Sequence, residues 1–141
     1  MMILLRTVLT ALVLSILSLV PAAWAQEKIS VQDAFAMAEA GDVTLVDIRT
    51  PREWKQTGVA SLAETINVYD KAFLGDLMTL LEGDPTKPVA FICAVGGRSG
   101  QLSSILTERG FTRVFDVTEG MKGSGAGPGW IKAGLPVVDY N

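Results

Sequence analysis

Apolar and amphipathic segments alternate along the chain from residue 30 onward. Short apolar runs rich in β-branched residues predict strands over residues 43–48, 64–68, 88–92 and 113–117. Between them, apolar residues at helical spacing predict helices that begin at Ser30, Thr50, Asp70 and Ser99. This alternation predicts right-handed βαβ units and an α/β fold of three layers. We expect a parallel sheet of four to five strands with helices on both faces.

Local sequence also predicts how the helices begin and which faces they bury. Thr50 and Glu53 have the spacing of a capping box, with proline at the first helical position between them. The helix from Asp70 is expected to bury an apolar stripe that includes Leu74, and the helix over residues 99–109 to turn Leu102, Ile105 and Leu106 inward.

The first 25 residues have the pattern of a signal peptide. Arg6 supplies a positive charge, residues 8–20 are apolar, and Ala23-Trp24-Ala25 is a small-residue cleavage signal. The apolar run is shorter than the ~20 residues that a membrane-spanning helix needs. We therefore predict cleavage after Ala25, one domain over residues 26–141 without a stable membrane span, and a periplasmic or secreted location. Retention of the segment as an N-terminal anchor is the alternative.

Composition narrows the possible chemistry. The chain has 12 Lys and Arg against 15 Asp and Glu, without a basic run, so we expect no nucleic-acid partner. It contains no histidine, which excludes a Ser-His-Asp triad, a Cys-His pair and a histidine-ligated metal site. Its one cysteine cannot form an internal disulfide. We predict that the domain uses no metal and no cofactor.

The single cysteine, Cys93, stands between a predicted strand and a predicted helix. A free thiol has a pKa near ~8.5, and only the thiolate is a good nucleophile. The helix N-terminus, the permanent cation of Arg98 and the backbone amides of the loop 94–97 could each stabilise a thiolate there. The alternative is that Cys93 is a small buried apolar residue at the end of a strand.

Other polar and glycine-rich segments are expected near this thiol. In parallel sheets the ligand site lies beyond the carboxyl ends of the strands. Asp47 and Arg49 lie at the carboxyl end of the first predicted strand, and a glycine-rich segment over residues 120–129 follows the last. We therefore expect one crevice to collect these segments and Cys93.

With these motifs, the chain resembles a single-domain rhodanese of the exported type from about Ile29 to Val138. The matching segments, in order, are Val46-Asp47-Ile48-Arg49 with the capping box after it, Ile66-Asn67-Val68, the loop from Cys93 to Ser99, Gly110-Phe111 and Gly134-Leu135-Pro136-Val137. Related phosphatases have five residues between the cysteine and the arginine of this loop, whereas Cys93 and Arg98 are separated by four. The shorter loop resembles the sulfur-handling version.

The resemblance implies a rhodanese-like fold and a thiosulfate sulfurtransferase-like activity through a persulfide on Cys93, the catalytic residue. It also implies that the loop binds the substrate and that Asp47 and Arg49 support the loop. The loop residues are Ala94, Val95, Gly96, Gly97, Arg98 and Ser99. The expected partners are a small anionic sulfur donor and a thiol or cyanide acceptor. A non-catalytic sulfur-carrier or binding module for an exported protein partner is the second hypothesis, and a phosphatase or arsenate reductase is the third.

Overall fold

A five-stranded parallel sheet forms the centre of the computed structural model, which describes residues 26–141. The strands are β1 (Glu27–Ile29), β2 (Thr44–Asp47), β3 (Val59–Ala60), β4 (Ala63–Thr65), β5 (Val89–Ile92), β6 (Val114–Val117) and β7 (Val137–Val138). The helices are α1 (Val31–Glu39), α2 (Pro51–Thr57), α3 (Phe73–Leu80), α4 (Gly97–Glu108) and α5 (Gly129–Lys132). The sheet order is β1-β6-β5-β2-β4, and β3 pairs antiparallel with β7 outside the sheet.

The α/β class and the parallel sheet with helices on both faces confirm the fold prediction. The predicted strands and helices are present with ends shifted by a few residues, while β1, β3, β7 and α5 were not predicted. The predicted leader, residues 1–25, lies outside the described residues. Among residues 26–141, no helix is long and apolar enough to cross a membrane.

Two apolar clusters lie on opposite faces of the sheet. The inner strand β5 is buried throughout and contributes to both clusters, because successive side chains of a strand point to opposite faces. Val89 and Phe91 pack with α3 and α4, whereas Ala90 and Ile92 pack with α1 and α5. Cys93, the next residue, belongs to the cluster under α3 and α4. The alternation of side chains along β5 therefore determines the side of the sheet on which the sulfur lies.

The predicted buried faces of two helices were partly wrong. In α4, Leu102 and Leu106 are buried as expected, but Ile105 is 39% exposed. Ser99 and Ser103 are fully buried in its place, so α4 is rotated to turn two hydroxyl-bearing residues inward. Leu74 of α3 is also exposed, at 44%.

The predicted helix starts had mixed outcomes. The Ser30 side chain caps α1, and Thr50 and Glu53 form the expected capping box at the start of α2. The third helix begins at Phe73 rather than at Asp70. The Asp70 side chain instead accepts a hydrogen bond from the Ala72 amide and closes a turn before the helix.

Candidate active site

The thiol of Cys93 lies at the carboxyl end of β5 and is almost fully buried, at 1% exposure. The Gly96 amide donates a hydrogen bond to Sγ at 3.2 Å. On its other side, Sγ lies 3.5 Å from Oγ of Ser99, in the first turn of α4. The sulfur is therefore held between a backbone donor and a hydroxyl group.

The conformation of Gly96 makes this hydrogen bond possible. Gly96 precedes α4 as its N-cap and has φ +87°, a region that residues with a side chain rarely adopt. A Cβ atom there would also collide with the backbone carbonyl of Thr118, which follows β6. Because the turn is this tight, the Gly96 amide faces back towards Cys93. Of the predicted amides of the loop 94–97, this is the one that donates to Sγ.

The glycine-rich segment after β6 holds the other side of the loop. The Cys93 carbonyl accepts a hydrogen bond from the Met121 amide at 2.8 Å, and the Ala94 carbonyl accepts one from the Lys122 amide at 2.9 Å. Gly120, with φ +68°, lies so close to Ala94 that a Cβ atom would overlap its carbonyl. The structure thus brings the glycine-rich segment to the thiol, as the topology predicted.

The outer side of the loop faces solvent. Val95 is 56% exposed and Gly97 is also exposed, whereas Ala94 and Gly96 are half-buried. The loop therefore exposes its tip above a buried sulfur.

Arg98 is held by an ion pair beside the loop. Its guanidinium donates two hydrogen bonds to the carboxylate of Glu53 on α2, at 2.9 and 2.6 Å. The hydrogen bond from Arg98 lowers the pKa of Glu53 from its ordinary value of 4.5 to about 2, although partial burial acts in the opposite direction. The same pair raises the pKa of Arg98. Sequence reasoning assigned Glu53 only to the capping box and missed it as the partner of Arg98.

Asp116 is a second residue that the sequence did not point to. It lies on β6, is 3% exposed, and accepts a hydrogen bond from Oγ of Ser99 at 2.7 Å. Burial raises the pKa of this carboxyl, opposed by the hydrogen bond from Ser99 and by the charge of Lys28. The one available signal was a charged residue within the otherwise apolar strand of residues 114–117.

Asp47 and Arg49 form a fully buried ion pair with an N–O distance of 2.7 Å. The Arg49 guanidinium also donates to Oγ1 of Thr57 at 2.7 Å and to the Gly58 carbonyl at 2.8 Å. These hydrogen bonds hold the C-terminal end of α2 rather than the loop 94–97. The pair therefore reaches the loop 94–97 only indirectly, since α2 carries Glu53 and Glu53 binds Arg98.

A parallel sheet with a thiol at the carboxyl end of an inner strand, followed by a tight loop and a helix, defines an α/β protein with a candidate active site at a cysteine. The chain belongs to the rhodanese-like domain family, whose model matches residues 30–125. Within residues 26–141, no group of three or more Cys, Asp or Glu side chains is arranged to hold a metal ion.

Individual relatives agree with this assignment. The chain is 30% identical over 110 residues to the thiosulfate sulfurtransferase GlpE of Actinobacillus pleuropneumoniae serotype 3, covering 78% of this chain and 91% of that protein. It is 26% identical over 98 residues to the protein RP600 of Rickettsia prowazekii, covering 65% and 80%. Among solved structures it is similar to the polysulfide-sulfur transferase homodimer of Wolinella succinogenes, with a TM-score of 0.60 and 29% identity over 82% of this chain and 80% of that one. These similarities support sulfur transfer as the general class of activity.

Proposed function

We propose that the protein is a sulfurtransferase that moves a sulfane sulfur from a donor such as thiosulfate to cyanide or a thiol, through a persulfide on Cys93. The hydrogen bond from the Gly96 amide to Sγ carries this proposal. A donor fixed by backbone geometry stabilises an anionic sulfur without a histidine base, because it does not have to reorganise when the charge develops.

The reaction proceeds in two steps that split a difficult transfer through a covalent intermediate. In the first, the Cys93 thiolate attacks the outer sulfur of thiosulfate, the S–S bond of the donor breaks, and sulfite leaves with the electron pair. In the second, cyanide attacks the terminal sulfur of the persulfide, which yields thiocyanate and returns the Cys93 thiolate. Arg98, anchored by Glu53, offers its cationic edge to the anionic donor at the loop.

The proposal includes an exported location, which rests on the sequence of residues 1–25 alone. Cleavage after Ala25 would leave Gln26 as the first residue of the exported chain. Expression of the full chain followed by intact-mass measurement tests this point. A product that keeps residues 1–25 would refute cleavage.

A sulfur carrier that turns over slowly is the second candidate. The burial of Cys93, with 1% of its surface exposed, favours it because a donor must approach past the loop. Iodoacetamide distinguishes the two candidates. Fast alkylation of Cys93 near neutral pH supports an enzyme, and an inert thiol supports a carrier or a structural cysteine.

The decisive test compares wild type with Cys93→Ser in thiocyanate formation from thiosulfate and cyanide. Wild type should turn over and should give, with thiosulfate alone, an intact mass one sulfur heavier. Cys93→Ser should lose both signals while keeping its urea midpoint. Ser103→Ala is the matched control, because Ser103 is a buried α4 residue outside the loop. The absence of both signals from the wild type contradicts the proposal.

A further inference from the structure

An unbroken chain of polar contacts leads from the thiol to a buried carboxylate. Sγ of Cys93 lies 3.5 Å from Oγ of Ser99, and this oxygen lies 2.7 Å from Oδ1 of Asp116. All three residues are buried, with exposures of 1%, 0% and 3%. Because water is largely excluded from them, their protons are expected to move along these contacts.

Ser99 has one hydroxyl proton, so the acceptor it chooses determines the direction of hydrogen-bond donation along these contacts. The hydroxyl could donate to the Gly96 carbonyl at 3.2 Å or to the Asp116 carboxylate at 2.7 Å, and a charged acceptor at the shorter distance is preferred. The oxygen of Ser99 is then left with lone pairs facing Cys93. In this arrangement it can accept the proton of a thiol but can donate nothing to a thiolate.

Few charged groups surround Asp116 and Cys93, the two ends of this series of polar contacts. Lys28 on β1 is the register partner of Asp116, and Phe91 faces it from β5. From α4, Ser99 is its hydrogen-bond partner, and Gly100 lies against the carboxylate without a side chain. At the other end, Arg98 is the cation near Cys93, and a charge on the sulfur is one of the causes that raise the pKa of Arg98. Asp116 is thus a carboxylate with one nearby lysine and one direct hydroxyl donor.

We propose that Asp116 is the proton acceptor for Cys93, with Ser99 relaying the proton. The inference rests on the proposed function and names the residues that prepare its nucleophile. As the thiol ionises, the S–H proton passes to Oγ of Ser99 and the original hydroxyl proton passes to Oδ1 of Asp116. The products are a Cys93 thiolate, which accepts a hydrogen bond from the Ser99 hydroxyl, and a neutral Asp116 carboxyl, which donates a hydrogen bond to Oγ of Ser99. The pair loses no proton to solvent, so the step needs no outside base.

Burial makes Asp116 suited to this role. A carboxyl whose pKa is raised by burial holds a proton more readily than an exposed one, and it can donate a hydrogen bond once neutral. In a chain without histidine, this carboxylate supplies the function of a base through one intervening hydroxyl. Asp116 does not touch the sulfur and is therefore a positioning residue.

The rate of Cys93 alkylation by iodoacetamide as a function of pH tests the relay. In wild type the shared proton should give a shoulder in the pH profile, a range in which the alkylation rate does not change with pH. This shoulder should extend from the titration of the Asp116 carboxyl up to about 8.5, the ordinary pKa of a thiol. Asp116→Asn keeps an acceptor for the Ser99 hydroxyl but cannot take a proton, and Ser99→Ala removes the connection. Both should lower the rate on this shoulder by about 10²-fold, as expected for loss of a positioned base.

A purely electrostatic role of Asp116 predicts a different result for the same variants. If Asp116 acts only through its negative charge, its removal favours the thiolate, and Asp116→Asn will react faster at low pH. A faster or unchanged rate in Asp116→Asn, or a preserved shoulder in Ser99→Ala, overturns the relay. Ser103→Ala, which removes another buried hydroxyl from α4, should keep the wild-type profile. Should Ser99→Ala fail to fold, Asp116→Asn decides alone.

This experiment uses no sulfur donor, so it is separate from the test of sulfur transfer. A wild-type protein that shows the shoulder but no thiosulfate turnover would refute the proposed function and keep the relay. Thiosulfate turnover without the shoulder would support the proposed function and refute the relay.

Discussion

Glu53→Gln is the substitution that isolates the ion pair between α2 and the start of α4. Glutamine fits the capping box at this position, so the start of α2 should be preserved. The two charged hydrogen bonds from Arg98, at 2.9 and 2.6 Å, lose their anionic acceptor. The substitution therefore removes a charge while leaving the surrounding shape nearly unchanged.

The lowered pKa of Glu53 sets the size of the effect. A fall from 4.5 to about 2 is about 2.5 pH units and corresponds to about 3–4 kcal/mol, at ~1.4 kcal/mol for each pH unit. The side chains of Arg98 and Glu53 are 26% and 22% exposed, so solvent screens part of this interaction. We expect Glu53→Gln to lower the free energy of unfolding by about 2 kcal/mol at pH 7.

The pH dependence has a definite sign. Because the folded state holds Glu53 ionised below its ordinary pKa, the unfolded state binds more protons as the pH falls. The stabilisation is fully present above about pH 4.5 and is lost as the pH falls towards about 2. Urea denaturation at a series of pH values should show the wild-type and Glu53→Gln curves converging over this range.

Glu82→Gln provides the matched control. Glu82 also forms an ion pair with an N–O distance of 2.7 Å, to Lys87, but its side chain is 79% exposed. Its loss should hardly change the urea midpoint at any pH. A Glu53→Gln deficit that persists unchanged at pH 2.5, or one no larger than that of Glu82→Gln, would refute the reasoning.

Two further substitutions test the loop and the buried ion pair by urea denaturation. Gly96→Ala should lower the free energy of unfolding by about 1–3 kcal/mol, because φ is +87° and its Cβ would meet a carbonyl. Gly97→Ala enters open space, and an equal loss there would contradict this explanation. Arg49→Met leaves the Asp47 carboxylate buried without its partner, which should cost about 3–5 kcal/mol. Arg52→Met on the exposed side of α2 should be nearly neutral; similar losses would disprove the role of burial.

The inner part of the fold was predictable because its signals are local and repeated. The strand before Cys93 is a continuous apolar run, and the helix after it has apolar residues at helical spacing. The edge strand β1 was missed because it has three residues and only Ile29 is buried. Ile105 was placed inward because apolar spacing cannot show that Ser99 must face the sulfur. In the structure α4 buries Ser99 and Ser103, Ser99 contacts the sulfur, and Ile105 is left partly exposed.

In the candidate site, too, contacts between residues close in sequence were predictable and contacts between distant residues were not. Cys93, Gly96 and Ser99 lie within seven consecutive residues, so a loop motif is enough to propose them together. Glu53 is 45 residues from Arg98, and Asp116 is 17 residues from Ser99. Neither pairing follows from spacing, because each depends on which helix or strand the fold places beside α4.

The pairing of β1 with β6 has a consequence for the order in which the chain folds. Glu27 lies opposite Phe115, and the Val31 amide donates to the carboxylate of Glu119, 88 residues away. During synthesis the first strand is therefore complete long before its partner exists. Contacts of this range are slow to form, and an unpaired strand edge is open to wrong partners until they do. The N-terminal strand is made first and is expected to join the sheet last.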